Sequence, residues 1–308
     1  MAGWLDEVVS EDPLLLPGHG ACAGCGPAIN VRHLLGALAA ASPDSKIVLV
    51  IPASCWTIIA GVFPVTAFGV TVHLTPFASA AAEASGIKAS LRLQGVDDAT
   101  VVVWGGDGAT ADIGFSGVSA AADRNEDILY VLNDNEAYMN TGVQKSGATP
   151  EGAATTTTPA AAPRTGQKKD IFRILASHGI PYAATLAAGS APMLRDFRAK
   201  VARAAETEGF RFLHVLGPCP PGWKYPTSGS VEIARLAVES RYFPLVECDH
   251  GEWRITYRPK REVAIGRFLE AQGRFGHLGP EEIATIQAHV DERWRSLDRL
   301  ASPASSRQ

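Results

Sequence analysis

Four short apolar runs constrain this chain more than any other feature. They are Lys46–Ile51, Thr100–Trp104, Ile128–Leu132 and Arg211–Leu216, each rich in Val, Ile, Leu or aromatic residues and none alternating with polar ones. A strand lacking polar alternation has no face for water, which is the pattern of a parallel sheet covered on both sides. Helix-forming stretches lie between them: Pro27–Ala41, Ser79–Leu93, Phe115–Asp123, Asp170–His178 and Ala191–Thr207. Pro27 suits a first helical turn, because its missing N–H would be unpaired there anyway. Strand–helix alternation of this kind predicts an α/β fold with a doubly wound, mostly parallel sheet.

The remainder of the chain departs from that rhythm twice. Residues 147–166 are small, hydroxylated and proline-containing, which suits either a flexible linker or an ordered loop over a ligand. Leu245–Tyr257 reads as a hairpin turning at Asp249-His250-Gly251, followed by a charged terminal helix over Glu281–Leu300. The expected division is an α/β domain over residues 1–243 and a hairpin-and-helix extension over 244–308, with disorder from Ser302.

Composition excludes several functions. The net charge of −4 comes with no long Lys/Arg block, so no nucleic-acid stripe is expected. The N-terminal stretch MAGWLDEVVSEDP lacks the basic start and apolar core of a signal peptide, and no apolar run approaches the roughly 20 residues of a membrane span. The expected location is the cytoplasm, where thiols stay reduced.

Gly105-Gly106-Asp107-Gly108 follows the second apolar run directly. Glycines at the carboxyl end of a strand let backbone amides approach a phosphate, and the next helix can aim its positive end at it. An aspartate in such a loop repels phosphate unless a hard cation lies between them, and magnesium takes few protein ligands plus phosphate oxygens. The third run ends in Asn133-Asp134-Asn135-Glu136, which supplies oxygen ligands at the next carboxyl edge. Asp107 and Asn135, 28 positions apart (135 − 107), together predict a cation–diphosphate site.

Five cysteines are present, and Cys22 and Cys25 form a CxxC pair inside GHGACAGCG. A disulfide, a zinc site, a redox dithiol and an iron–sulfur cluster all fit that pair in isolation. A reducing compartment lowers the disulfide reading, and an odd count suits four ligands plus one spare. His19, His178 and His214 fit supporting or core roles, and Lys168-Lys169-Asp170 fits a solvated helix start capped by Asp170.

The stretches GHGACAGCG, PASCW, GGDGATADIG, NDNEAYMNTGVQKSGATPEGAATTTTPA, KKD, HGIPY and GPCPPGW, spread from Gly18 to Val238, resemble the β subunit of the 2-oxoacid:ferredoxin oxidoreductases, the pyruvate:ferredoxin oxidoreductase group. The resemblance implies the diphosphate-binding half of a thiamine diphosphate fold. It implies Asp107, Asn135 and the Ala137 carbonyl as Mg2+ ligands, Gly106 and Gly108 along the diphosphate, and Asn140 as the catalytic residue beside the thiazolium and substrate. It implies that Thr155–Thr158 is ordered cover. It also implies a 4Fe–4S cluster on Cys22, Cys25, Cys55 and Cys219, leaving Cys248 structural. In this family thiamine diphosphate drives decarboxylation of a 2-oxoacid, coenzyme A usually takes the acyl group, and electrons leave singly through the cluster.

The glutamate that activates thiamine belongs in this family to a pyrimidine-binding domain, and no second α/β domain is visible here. The resemblance therefore implies an α partner carrying that domain, together with ferredoxin or ferredoxin-like γ and δ subunits as acceptors. Two departures bear on substrate. Phe77-Ala78-Ser79 stands where many pyruvate-type subunits have Phe-Glu-Asn or Phe-Glu-Asp, and Trp56 after the third cysteine is bulkier than usual. The expected substrate is pyruvate or another 2-oxoacid, and both departures suit one such as the aromatic phenylglyoxylate. Two rival readings stand beside this one: a non-redox thiamine-dependent 2-oxoacid decarboxylase with structural zinc, and a non-catalytic scaffold that keeps the fold and binds no thiamine.

Overall fold

The computed structural model describes residues 14–302, apart from Phe63 and Glu262. The acidic N-terminal stretch and the tail beyond Ser302, about which the sequence raised expectations, lie outside the described residues.

In chain order the elements are α1 (Gly26–Ala41), β1 (Lys46–Pro52), α2 (Trp56–Ile59), β2 (Thr71–Thr75), α3 (Ala80–Leu93), β3 (Ala99–Gly106), α4 (Phe115–Asp123) and β4 (Leu129–Asp134). There follow α5 (Ile171–Ala176), β5 (Tyr182–Leu186), α6 (Ala191–Glu206), β6 (Arg211–Leu216), α7 (Pro220–Trp223) and α8 (Ser230–Glu239). The chain closes with β7 (Leu245–Asp249), β8 (Glu252–Tyr257), α9 (Ile265–Glu270) and α10 (Pro280–Ala301). A single π-helical turn, Gly108–Asp112, separates β3 from α4.

One eight-stranded sheet runs in the order β2-β1-β3-β4-β6-β5-β7-β8. The first six strands of that order are parallel, and β7 and β8 run antiparallel at the far edge. The sheet is thus doubly wound and mostly parallel, as the apolar runs require. Its central strands are buried on both faces: every residue of β4 and β6 is buried. One apolar layer packs α1 and α6 on the sheet through Leu34, Leu38, Trp104 and Phe197, and a second packs α3, α4 and α5 through Ala84, Val118 and Leu175.

Two strands escaped the sequence reading for physical reasons. Strand β2 is a partly exposed edge strand, Thr-Val-His-Leu-Thr, without an apolar run. Strand β5, Tyr-Ala-Ala-Thr-Leu, is fully buried but made of small residues, because α6 and β7 crowd it. The hairpin turns where expected, with His250 and Gly251 both at positive φ (48° and 84°), the combination a tight two-residue turn demands. It adds to the same sheet through β5–β7 pairing. Asp170 caps α5, its carboxylate accepting the Arg173 N–H at 3.1 Å.

The strand order decides where chemistry can happen. From β1 the chain steps outward to β2 and then back across to β3, so a switch point lies between β1 and β3. Ligands of open α/β sheets bind at the carboxyl ends of strands beside such a point. Among the described residues no helix is long and apolar enough to cross a membrane.

Candidate functional site

Four adjacent strands, β1, β3, β4 and β6, end on one edge of the sheet. Just beyond those ends stand Cys55, Asp107, Asn135 and Cys219 respectively. Residues 164 positions apart in sequence (219 − 55) are therefore neighbours by topology alone.

The CxxC loop reaches the same edge through close backbone docking. The Gly26 N–H donates to the Pro218 carbonyl at 3.0 Å. A Cβ at Gly26 would sit 2.5 Å from that oxygen, and one at Gly24 would sit 1.9 Å from the Thr227 carbonyl. Gly24 also has φ +70°, so only glycine lets this loop lie on the segment after β6. Cys25, Cys55 and Cys219 each occupy the N-cap of a helix, α1, α2 and α7. Cys22 is exposed and the other three are half-buried.

The four thiols feel one another. Burial pushes the Cys25 thiol up to about 12, with smaller contributions from Cys219, Cys55 and Cys22. Burial likewise pushes Cys55 up to about 11, with Cys219, Cys22 and Asp107 adding to it. Cys219 is also raised by burial, opposed by the Gly222 N–H and by the positive charge of Arg274. Among the described residues no three His, Cys, Asp or Glu side chains are arranged to hold a single metal ion.

Asp107 is buried, and its carboxyl is raised well above the usual range by burial and then by the charge of Asp134 on the neighbouring strand. The Ser146 hydroxyl donates to Asp107 and partly opposes this. Asn135 is 8 % exposed, and its side-chain oxygen is buried without a hydrogen-bond partner. A buried acceptor left unpaired costs about 1–3 kcal/mol, a cost that a bound cation would remove. The Ala137 residue is buried on the same loop. An acidic oxygen and an orphaned amide oxygen on adjacent strand ends are the donor set a magnesium–diphosphate group needs, so the residues fit that group.

The two glycines flanking Asp107 differ. A Cβ on Gly108 would meet the Tyr138 ring at 2.1 Å, so this glycine is required by the tyrosine packed over it. Tyr138 also donates to Asp112 at 3.1 Å. A Cβ on Gly106 would find only Ser54 at 3.7 Å, so open space lies beside it. Asn140 is exposed in the turn after Tyr138. The Thr155–Thr158 loop is folded back on that turn: Thr156 N–H donates to Val143 (3.0 Å), and Lys145 N–H donates to the Thr157 hydroxyl (2.9 Å). His19 lies before the pair, its Nδ1 accepting the Ala21 N–H at 3.4 Å.

The sequence reading missed a buried charge network behind the Asn135 loop. Glu136 is fully buried and takes φ +64°, turning its carboxylate inward to Lys168 (2.6 Å), Arg274 (2.6 Å) and the Tyr242 hydroxyl (2.6 Å). Asp134 accepts from His214 at 2.8 Å and lies 3.5 Å from Lys168, and the charge of Lys168 with the His214 hydrogen bond holds its carboxyl below the usual range despite burial. Lys168 is thus a core residue and not part of a solvated helix start. The available signal was the pair of acids, Asp134 and Glu136, at and just beyond the end of a buried strand.

Comparison with known proteins shows the family. Residues 60–215 match the thiamine pyrophosphate enzyme family's C-terminal TPP-binding domain. The chain is 43% identical over 294 residues to ketoisovalerate oxidoreductase subunit VorB of Pyrococcus furiosus, covering 92% of each. It is 45% identical over 291 residues to pyruvate synthase subunit PorB of Methanocaldococcus jannaschii, covering 91% of this chain and 95% of that one. Its fold matches a chain of the 2-oxoglutarate:ferredoxin oxidoreductase of Magnetococcus marinus, with a TM-score of 0.56, 22% identity, and coverage of 73% of this chain and 78% of the other. With identity above 40% across nine-tenths of these curated relatives, the chain belongs to the thiamine diphosphate-binding β subunits of the 2-oxoacid:ferredoxin oxidoreductase family.

Proposed function

We propose that this chain is the β subunit of an enzyme that oxidatively decarboxylates a 2-oxoacid and passes the electrons to ferredoxin or a ferredoxin-like subunit, with coenzyme A taking the acyl group. Thiamine diphosphate would supply the carbanion and electron sink, and a 4Fe–4S cluster the one-electron exit. The observation that carries this reading is that Cys55, Asp107, Asn135 and Cys219 follow four adjacent strand ends, with the Cys22–Cys25 loop docked beside Cys219 through the Gly26–Pro218 backbone bond.

Asp107, the Asn135 amide oxygen and the Ala137 carbonyl would hold Mg2+ against the diphosphate, with the open side of Gly106 admitting it. Cys22, Cys25, Cys55 and Cys219 would hold the cluster as thiolates, so iron must displace protons that burial keeps on Cys25 and Cys55. Asn140, exposed on the turn over the site, would orient the substrate. The substrate class is a 2-oxoacid, and the replacement of an acidic residue by Ala78 leaves room for a branched or aromatic one.

Exposed apolar side chains on the segment after Cys55, Ile58, Val62 and Val65, support a permanent partner subunit that completes the thiamine site. Residues 47–82 hold no Asp, Glu, Lys or Arg, which suits a covered surface better than a steered, transient one. A cytoplasmic location fits, since reduced thiols are needed to take up the cluster.

The test is metal analysis with anaerobic electron paramagnetic resonance on the complex isolated through a tag on this chain. About four irons per chain and a reduced-cluster signal are expected. Zinc without iron would sink the redox reading and leave a non-redox thiamine enzyme.

A further inference from the structure

The loop expected to hold magnesium is anchored at three points, and two of them meet at one side chain. Glu136 lies between Asn135 and Ala137, in a left-handed conformation that is strained for a non-glycine residue. Its inward carboxylate is held by Lys168, Tyr242 and Arg274. The Arg274 guanidinium also lies over the Trp223 indole, 3.8 Å from the ring centre. Trp223 in turn donates its Nε1–H to the Asn135 carbonyl at 2.8 Å. The third anchor is Thr149, whose hydroxyl donates to the Glu136 carbonyl at 2.7 Å.

Trp223 is the last residue of α7, and Cys219 is its N-cap. The Trp223 N–H donates to the Cys219 carbonyl at 2.8 Å, so the indole and the cysteine move as one turn. Arg274, Trp223 and Glu136 are all buried, and arginine's planar fork is suited to pairing and stacking at once. We infer that Arg274 is a positioning residue that couples the Asn135–Ala137 loop to Cys219, so that filling the thiamine–magnesium site changes the reduction potential of the cluster. The inference rests on the function proposed above. Charge and hydrogen bonding around the sulfurs set a cluster's potential, and Arg274 stacks on the residue that closes the Cys219 turn.

The test is a redox titration of the purified complex, followed by paramagnetic resonance, with and without thiamine diphosphate and Mg2+. In the wild type, adding them should change the reduced-to-oxidised ratio at fixed potential by about threefold. Arg274→Gln should abolish that change while still binding iron and thiamine diphosphate. Trp223→Phe, which keeps a ring under Arg274 but loses the donor to Asn135, should diminish it. A merely stiffening residue would lower the melting temperature and leave the change intact, and that result would overturn the inference. So would a wild-type potential blind to thiamine while iron and thiamine both bind, which leaves the proposed function standing. Should Arg274→Gln fail to fold, Trp223→Phe decides: an undiminished change refutes the coupling. Absence of iron from the wild type overturns both readings.

Discussion

Asp107 and Asp134 stand at the ends of neighbouring strands, β3 and β4, and the charge of Asp134 adds to burial in driving the Asp107 carboxyl well above its ordinary range. Asp134 itself is held low by Lys168 and His214. The pair is thus asymmetric: one acid is fixed as an anion by the core, and the other gains its charge most readily beside an external cation.

Asp107→Ala should abolish Mg2+-dependent binding of thiamine diphosphate. The loss should exceed the roughly 10–100-fold that removal of an outer-shell partner costs. Calorimetric titration with and without Mg2+ measures it, and unchanged affinity would remove Asp107 from the site.

Cys219→Ser should deplete the complex of iron although it lies 164 positions from Cys55 (219 − 55). Cys248→Ser serves as the control, because Cys248 is buried in the β7 core away from the four grouped thiols. Iron content and visible absorbance distinguish the two variants. Equal iron in both would exclude Cys219 as a ligand.

Asn140→Ala should leave thiamine binding intact and lower turnover by at least about tenfold, as expected when a positioned polar group is lost from a reacting centre. A wild-type rate would show that this exposed side chain serves only the turn.

Gly24→Ala should prevent the CxxC loop from docking. The new Cβ meets a carbonyl on the Thr227 backbone, and φ +70° adds its own strain. A destabilisation of at least about 1 kcal/mol is expected, seen as a lower melting temperature together with loss of iron. Gly36→Ala, with nothing within 4 Å, is the neutral comparison.

Alkylation of the iron-free chain should be slow at Cys25 and Cys55 near neutral pH. Raised thiol values mean protonated sulfur at neutrality, and only the thiolate reacts. Burial places these thiols at about 12 and about 11, so their reactivity should climb across pH 9–12 and not across pH 7–9. Mass spectrometry of labelled peptides against pH gives the profile. Rapid labelling of Cys25 at pH 7 would show that the pocket is open.

Much of this architecture was legible in the residues. The four apolar runs appear as β1, β3, β4 and β6, and because they are adjacent, whatever follows them must converge. Asp107 and Asn135 could be paired from their spacing alone, whereas Cys55 and Cys219 were grouped through the family resemblance, and the strand order now sets all four at one edge. Strand β5 was hidden because Ala183 and Ala184 carry no β-branched signal, and β2 because an edge strand needs no apolar run. The network of Glu136, Lys168, Tyr242 and Arg274 was illegible for another reason. No local spacing relates positions 136, 168, 242 and 274, and only the finished fold brings the Glu136 carboxylate together with Lys168, Tyr242 and Arg274.

The sheet order also sets a timetable. The four thiols come from both ends of the first 219 residues, and the last arrives only after β6 has slid in between β4 and β5. On the proposed ligand set, a ribosome would finish six parallel strands before all four sulfurs could share one cluster. Iron–sulfur loading would then be a late event in the life of the chain, a seal applied only to molecules whose strands have already threaded in the right sequence.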